Sequence, residues 1–468
     1  MANKSSQGNP QASTIPESGF LWGVSTSSFQ IEGAAHADGR GDSIWDVYCR
    51  EPGRVKNADT GEIACDHYHR YNEDVALMRN LGIDAYRFSL SWPRLLPKGR
   101  GIVNEPGLAF YDRLIDALLA ADIEPWICLY HWDLPQALHE LGGWQNRDII
   151  GWFADYAALV ARRYGDRVKR FATFNEPCVF TLFGYGLGWN APGIADADAL
   201  HKAIHHVNLS HGAAIDVFRS MIPQASLGAI HNRQPCFSAG PNPADAAAAK
   251  RFAEYWNDAF PNPQHFACYP PALAEAIEPF QKPGDMALIA RPVDWFGLNH
   301  YSPHYIKADS NVLGATFGAP PPDVPRTAIG WPIVPDAFRD TLLDIKSRFG
   351  LPIYVLENGT ASDDRPDSAN QVNDAARIAY LQAYTDAMQE AISGGADVRG
   401  YFVWSLLDNF EWASGYSQRF GLVYVDFNTQ RRIPKSSARW YAKLIATRRR
   451  CLVQPIARNS VDAAAAKR

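Results

Sequence analysis

Cysteine is scarce and unpatterned: seven residues, at 49, 65, 128, 178, 236, 268 and 451, never in a CxxC spacing. That argues against a disulfide framework or a zinc knuckle and fits a reducing cytoplasm. No run of ~18 apolar residues is present to span a membrane. The first 18 residues are polar, rich in Ser, Gln, Asn and Pro, and lack the apolar stretch of a secretory signal. Excess positive charge is missing as well, with 45 basic against 50 acidic residues and a net charge of −5. Nothing here draws the chain to a nucleic-acid backbone. The short clusters Arg431–Arg432 and Arg448–Arg450 read as solvated helix ends or tails. Glycine (35) and proline (32) together fall well short of the ~25–30% of low-complexity chains. No GxGxxG stands at a strand end and no GxxxxGK[ST] occurs anywhere, so a nucleotide-binding open sheet loses its phosphate cradle.

What is present is the composition of a folded chain: 468 residues, 47% hydrophobic and 20% charged. At ~150 residues per domain this length suggests about three domains, but α/β barrels run long as single units. Eight short β-rich apolar runs recur, at Phe20–Ser25, Ala85–Leu90, Pro125–Tyr130, Phe171–Phe174, Ser226–Ile230, Trp295–Asn299, Ile353–Leu356 and Tyr401–Ser405. Between them lie segments with apolar residues at spacings of three and four: Tyr71–Leu81, Gly107–Ala121, Ile149–Tyr164, Ala203–Met221, Asp336–Phe349 and Ala375–Ser393. Strand and helix in alternation mean parallel pairing with right-handed crossovers. Eight such units predict an α/β fold, a single (β/α)8 TIM barrel over 19–447 between a polar tail (1–18) and a C-terminal tail (448–468); a doubly wound open sheet is the alternative. The Pro- and Gly-rich stretches Ser91–Glu105, Asn232–Pro270 and Tyr305–Pro335 are expected as long loops building the active face.

Two apolar runs lead straight into a glutamate: Thr173-Phe174-Asn175-Glu176-Pro177 on the fourth strand and Val355-Leu356-Glu357-Asn358-Gly359 on the seventh. In a barrel both point into the mouth. A glycosidic bond needs one carboxylic acid for the leaving oxygen and one carboxylate facing the anomeric carbon, so two carboxyls must differ in protonation at one pH. Arg87, near the mouth of the second strand, supplies a charge to keep one of them ionised. The aromatic content, 14 Trp, 20 Tyr and 23 Phe, suits a ligand with apolar faces and polar edges, as sugars have.

The chain resembles the family 1 glycoside hydrolases, the β-glucosidase group of retaining barrels. The resemblance rests on motifs in order: Phe20-Leu21-Trp22-Gly23, Phe29-Gln30-Ile31-Glu32-Gly33, Ser43-Ile44-Trp45-Asp46, Tyr130-His131-Trp132-Asp133-Leu134-Pro135, Asn175-Glu176-Pro177, Gly297-Leu298-Asn299-His300-Tyr301, Glu357-Asn358-Gly359, Trp404-Ser405-Leu406-Leu407-Asp408-Asn409-Phe410-Glu411-Trp412 and Arg419-Phe420-Gly421-Leu422. It implies Glu176 as general acid/base and Glu357 as nucleophile, with Arg87 and Tyr301 supporting the nucleophile. Asn175 would hold the sugar 2-hydroxyl; Gln30, His131, Glu411 and Trp412 would grip the other hydroxyls over a floor of Trp404. Trp132, Asn299 and Phe420 are implied as pocket neighbours, and Trp331 as part of the leaving-group side. The implied substrates are β-glucosides, with β-galactosides and β-fucosides beside them, and cello-oligosaccharides, as in cellulose degradation. No cofactor or metal is implied, and a homo-oligomer is left open.

Two positions depart from the family pattern. Leu356 stands where a Thr or Ser is usual, and Cys178 stands where many relatives carry Trp or Phe, which points to a wider leaving-group site. Glu411, read as an anion, would repel a 6-phosphate. A retaining pair of carboxyls is expected ~5–5.5 Å apart. Among rival readings, metal catalysis would draw on Cys65, Asp66, His67 and His69 or on His205, His206 and His211, but neither set has a zinc-enzyme spacing. A catalytically weak sugar-binding barrel is the other alternative, and both glutamates speak against it.

Overall fold

A computed structural model describes residues 19–453, with side chains as far as 448. The expected tails at 1–18 and beyond 453 lie outside the described residues, and the last helix, Ser436–Val453, runs past 447. Eight strands close into a parallel barrel: β1 (Leu21–Ser25), β2 (Ala85–Ser89), β3 (Glu124–Tyr130), β4 (Arg170–Asn175), β5 (Ser226–Asn232), β6 (Trp295–Asn299), β7 (Ile353–Asn358) and β8 (Val398–Trp404). Each pairs with its sequence neighbours, and β1 meets β8 in register from Leu21–Gly400 to Ser25–Trp404. Buried on both faces, the strands carry almost continuous apolar runs.

The barrel interior is packed from below. Trp126 lies against Trp295, Tyr354 and Phe402 with ring centroids 5.4, 4.8 and 5.4 Å away, and Leu356 belongs to the same cluster. Space for these rings comes from glycine: a Cβ on Gly228 would fall 2.4 Å from the Trp295 ring, and one on Gly23 2.3 Å from Phe402. With the lower half filled, only the C-terminal end of the barrel is open to a ligand.

The crossover helices include His67–Leu81, Glu105–Ala120, Ile149–Tyr164, Ala197–Met221, Pro335–Phe349 and Ala375–Ser393. Where they begin before the apolar periodicity does, a cap is the reason: Asp196 accepts from the Ala199 amide at 2.7 Å and starts its helix six residues ahead of Ala203. The stretch Asn232–Pro270 is not a loop as expected. It holds the strand Cys236–Ser238 and helical segments Pro243–Ala253, Glu254–Asp258 and Pro261–Phe266. Its alanine run, opened by the Asn242 cap and Pro243, favours helix over loop. Cys236–Ser238, His304–Ala308 and Ala315–Phe317 form a small sheet that joins the connections after β5 and β6 into one wall above the barrel.

A buried ion cluster ties the opposite side together. Lys435 reaches Asp364 (2.6 Å) and Asp408 (2.7 Å); Arg377 pairs with Asp364 (2.6 Å) and Asp374, and Arg419 with Asp408 (2.7 Å).

Candidate active site

Glu357 is part of β7, and Glu176 is the residue immediately after β4, in a left-handed turn (φ 48°) that ends the strand before the helix Pro177–Thr181 begins. Both carboxyls open on a cavity of about 500 Å³. Ten of the residues singled out from the sequence line it: His131, Trp132, Glu176, Tyr301, Trp331, Glu357, Trp404, Glu411, Trp412 and Phe420. Arg87, Asn175 and Asn299 sit directly behind, bonded to the glutamates or to one another. Gln30 stands apart: its amide donates to Asn409 Oδ1 (3.2 Å) and the Phe410 carbonyl (2.9 Å), steadying the segment before Glu411.

Amide orientations here follow from groups that can only donate. The Arg87 guanidinium faces Asn175 Oδ1, so the Asn175 NH2 must face His131 Nε2 (3.2 Å). That places the His131 proton on Nδ1, which has no partner among the described residues and sits in a ring lining the cavity. Asn175 Oδ1 also accepts from Asn299 Nδ2 (3.0 Å), whose NH2 reaches Glu176 Oε1 as well (2.9 Å). Arg87 Nη2 lies 2.7 Å from Glu357 Oε1, and the Tyr301 hydroxyl donates to Glu357 Oε2 at 2.6 Å. A continuous polar chain therefore links the two carboxyls beneath the cavity floor.

This geometry meets the comparisons with known proteins on the same ground. Residues 11–450 match the model of glycosyl hydrolase family 1. The chain belongs to that family. Beta-glucosidase A of Thermotoga maritima is 45% identical over 437 residues, 92% of this chain and 97% of the relative. The 1,4-beta-D-glucan glucohydrolase of Thermotoga neapolitana is likewise 45% identical over 437 residues, 92% of this chain and 98% of its own. A solved Thermotoga maritima β-glucosidase in complex with galacto-hydroximolactam superposes with a TM-score of 0.88 at 43% identity, covering 93% of this chain and 99% of that one. The family 1 chain is thus a glycosidase with β-glucosidase function.

Within this family 1 site the two glutamates differ in electrostatics. Burial raises Glu176, Glu357 beside it raises it further, and the carboxyl reaches about 8. Glu357 is raised by burial too, but Arg87 and the Tyr301 hydroxyl oppose that rise. Glu357 therefore ionises first and Glu176 keeps its proton. Burial, then Glu357 and Glu176, lift Glu411 to about 8, which favours the acid near neutral pH over the anion read from the sequence. Burial and Arg87 keep His131 neutral.

Several family 1 pocket residues escaped the sequence reading. Asn232, at the end of β5, donates to Glu176 Oε1 at 2.8 Å; Gln234 follows it, and Phe183, Trp189, Trp256 and Phe317 line the outer cavity. Asn232 carries the same signal that marked the glutamates, a polar residue just past an apolar run. The outer aromatics carry none, because they come from the connections after the strands, Trp256 on the helical segment Glu254–Asp258 and Phe317 on the short strand Ala315–Phe317. Cys178 is buried and does not line the cavity, whereas its neighbour Val179 does. Leu356 points into the barrel core. The histidines weighed for a metal are engaged elsewhere: His67 with Asp74, His205 with Asp285 and Tyr269, His206 with the Trp144 carbonyl, His211 with Thr173.

Proposed function

We propose that the protein hydrolyses terminal non-reducing β-D-glucosyl residues by double displacement, with Glu357 as nucleophile and Glu176 as acid and then base. In the first step a Glu357 oxygen bonds to the anomeric carbon as the bond to the leaving oxygen breaks. That oxygen keeps the electron pair and takes the Glu176 proton. In the second, Glu176 removes a proton from water, whose oxygen displaces Glu357 and leaves the sugar with its starting configuration. The observation that carries the reading is the contrast between the carboxyls: Glu357 against a guanidinium and a phenol, Glu176 against amides only.

Asn175, His131, Glu411 and Trp412 are assigned to the sugar hydroxyls, Trp404 to its face, and Trp331 to the leaving group. Gln30 joins them by exchanging the bonds its amide makes to Asn409 and the Phe410 carbonyl. The name of the Thermotoga neapolitana relative supports β-1,4-glucan ends as substrates, and the galacto-configured inhibitor on the Thermotoga maritima enzyme supports β-galactosides beside β-glucosides, with β-fucosides included on the same ground. A cytoplasmic setting is supported by free buried thiols at Cys49, Cys65, Cys128 and Cys178.

Product anomers followed by NMR test the mechanism: a β-glucoside should release β-glucose first, and α-glucose first would refute retention. Glu357→Gly should abolish turnover of every glycoside, whereas Glu176→Ala should retain far more activity on a dinitrophenyl than on an alkyl glucoside. Equal losses on both would remove Glu176 from the acid role.

A further inference from the structure

Asn232 and Trp256 lie outside every role assigned above, yet their bonds determine how the acid is held. The indole N–H of Trp256 donates to Asn232 Oδ1 at 3.1 Å, and Gln234 Nε2 reaches the same oxygen at 2.9 Å. An indole nitrogen can only donate, so the atom facing it must be the amide oxygen. The NH2 of Asn232 is left pointing at Glu176 Oε1, 2.8 Å away. Asn299 Nδ2 reaches that same Oε1 at 2.9 Å. A carboxyl oxygen that accepts from two amides is a poor seat for its own proton, and Glu176 Oε2 has no hydrogen-bond partner among the described residues.

We propose that Trp256 locks the Asn232 amide in one orientation and thereby confines the proton of Glu176 to Oε2, the oxygen free to face the leaving group, making Asn232 a positioning residue for the acid step. The proposal rests on Glu176 being that acid. Trp256 also lines the outer cavity, so the lock ties the wall that touches the leaving group to the group that protonates it. Gln234 is the second member of the lock. Its Oε1 accepts from the Ser302 amide at 3.1 Å, which fixes its own NH2 toward Asn232.

Donors to the ionised form hold a carboxyl down against burial. The other titratable groups facing Glu176 are Glu357 from β7, Arg87 from β2, Tyr301 beyond β6, Glu411 beyond β8 and Cys178 on its own helix. None of them changes when Asn232 is replaced. Removing its donor therefore leaves burial and Glu357 less opposed, and the acid should keep its proton to higher pH.

The test compares wild type, Asn232→Ala and Trp256→Phe, with active sites counted by trapping the nucleophile with dinitrophenyl 2-deoxy-2-fluoro-β-glucoside so that misfolded enzyme is left out. In Asn232→Ala the alkaline limb of kcat/KM should move up by about one unit. Its loss of rate should be at least tenfold greater on methyl β-glucoside, which needs the proton, than on dinitrophenyl β-glucoside, which does not. Trp256→Phe keeps an aromatic six-membered ring against the cavity wall but removes the indole N–H with the rest of the pyrrole ring, and should shift the limb in the same direction by less. An unmoved limb with equal losses on both substrates in Asn232→Ala would overturn the proposal and leave Asn232 a packing residue. A shift in Asn232→Ala with none in Trp256→Phe would overturn the lock. If Glu176→Ala itself fails to separate the two substrates, the underlying assignment of the acid fails instead.

Discussion

Glu411 shows how far the chemistry of one residue depends on its surroundings. It is half-buried, one of its oxygens has no hydrogen-bond partner among the described residues, and desolvation with two neighbouring carboxyls raises it to about 8. As a neutral acid it offers a sugar one donor and one acceptor, which an amide reproduces. Losing a neutral hydrogen bond costs ~0.5–1.5 kcal/mol, and losing one to a charge ~1.5–3 kcal/mol. Glu411→Gln should therefore lower kcat/KM on nitrophenyl β-glucoside by about tenfold or less, and Glu411→Ala by roughly a hundredfold; equal losses would show that the ionised form binds the sugar. A 6-phosphate is disfavoured on different grounds from those read in the sequence. Among the described residues no Lys or Arg lines the cavity, so a dianionic phosphate would enter it with no cation to pair it. Leaving an ion desolvated without a partner costs several kcal/mol. Nitrophenyl β-glucoside should thus be preferred to its 6-phosphate by more than a hundredfold, and comparable kcat/KM values would contradict this. The alkaline limb of kcat/KM should fall near pH 8, because Glu176 must be protonated to act.

Among the elements, the segment after β8 matters most to the pocket, because it carries both Glu411 and Trp412. Its anchor is Asp408, whose oxygens accept from Lys435, Arg419 and the Gly421 amide. Lys435 is fully buried, so Lys435→Met would strand Asp364 and Asp408 with one cation fewer; breaking a buried pair in this way costs ~3–5 kcal/mol. The variant should melt several degrees lower and show a raised KM for glucosides with kcat less affected. Wild-type values for both would remove the anchor role. The sequence made the barrel strands legible because each is a short apolar run with a helical period behind it, and β4 and β7 announced their glutamates by the polar residue that follows. It did not make the segment from 232 to 270 legible, since proline and glycine there signalled a loop while an alanine run and an Asn cap folded it as helix. The ion cluster was equally hidden. Asp364 and Arg377 follow β7 while Asp408 and Lys435 follow β8, and the pairing of those neighbouring strands brings the two sets together.

For the molecule as a whole, two sets of buried groups pull stability in opposite directions along the pH axis. Burial lowers His211 and His304 to about 3 and His206, His265 and His300 to about 4. Their unfolded value is ~6.5, so below it the unfolded chain binds more protons and stability falls as pH drops. Glu176, Glu411 and Asp133 are raised mainly by burial to about 8. Stability from these three is present below their unfolded values and is lost as pH rises toward 8. Histidines dominate below ~6.5 and carboxyls above it, so the melting temperature should peak near pH 6.5. Calorimetry across pH 4.5–9 would show this, and a melting point still climbing at pH 8 would refute it. The pairing of β1 with β8 reaches further, into biosynthesis. Ser25 emerges from the ribosome early, but its partner Trp404 comes near the end of the chain. At ~5–20 residues per second the first strand waits roughly twenty to eighty seconds with one edge open. Throughout that interval it is a template for any other strand nearby, and the nascent chain has to be kept from its neighbours until the ring can shut.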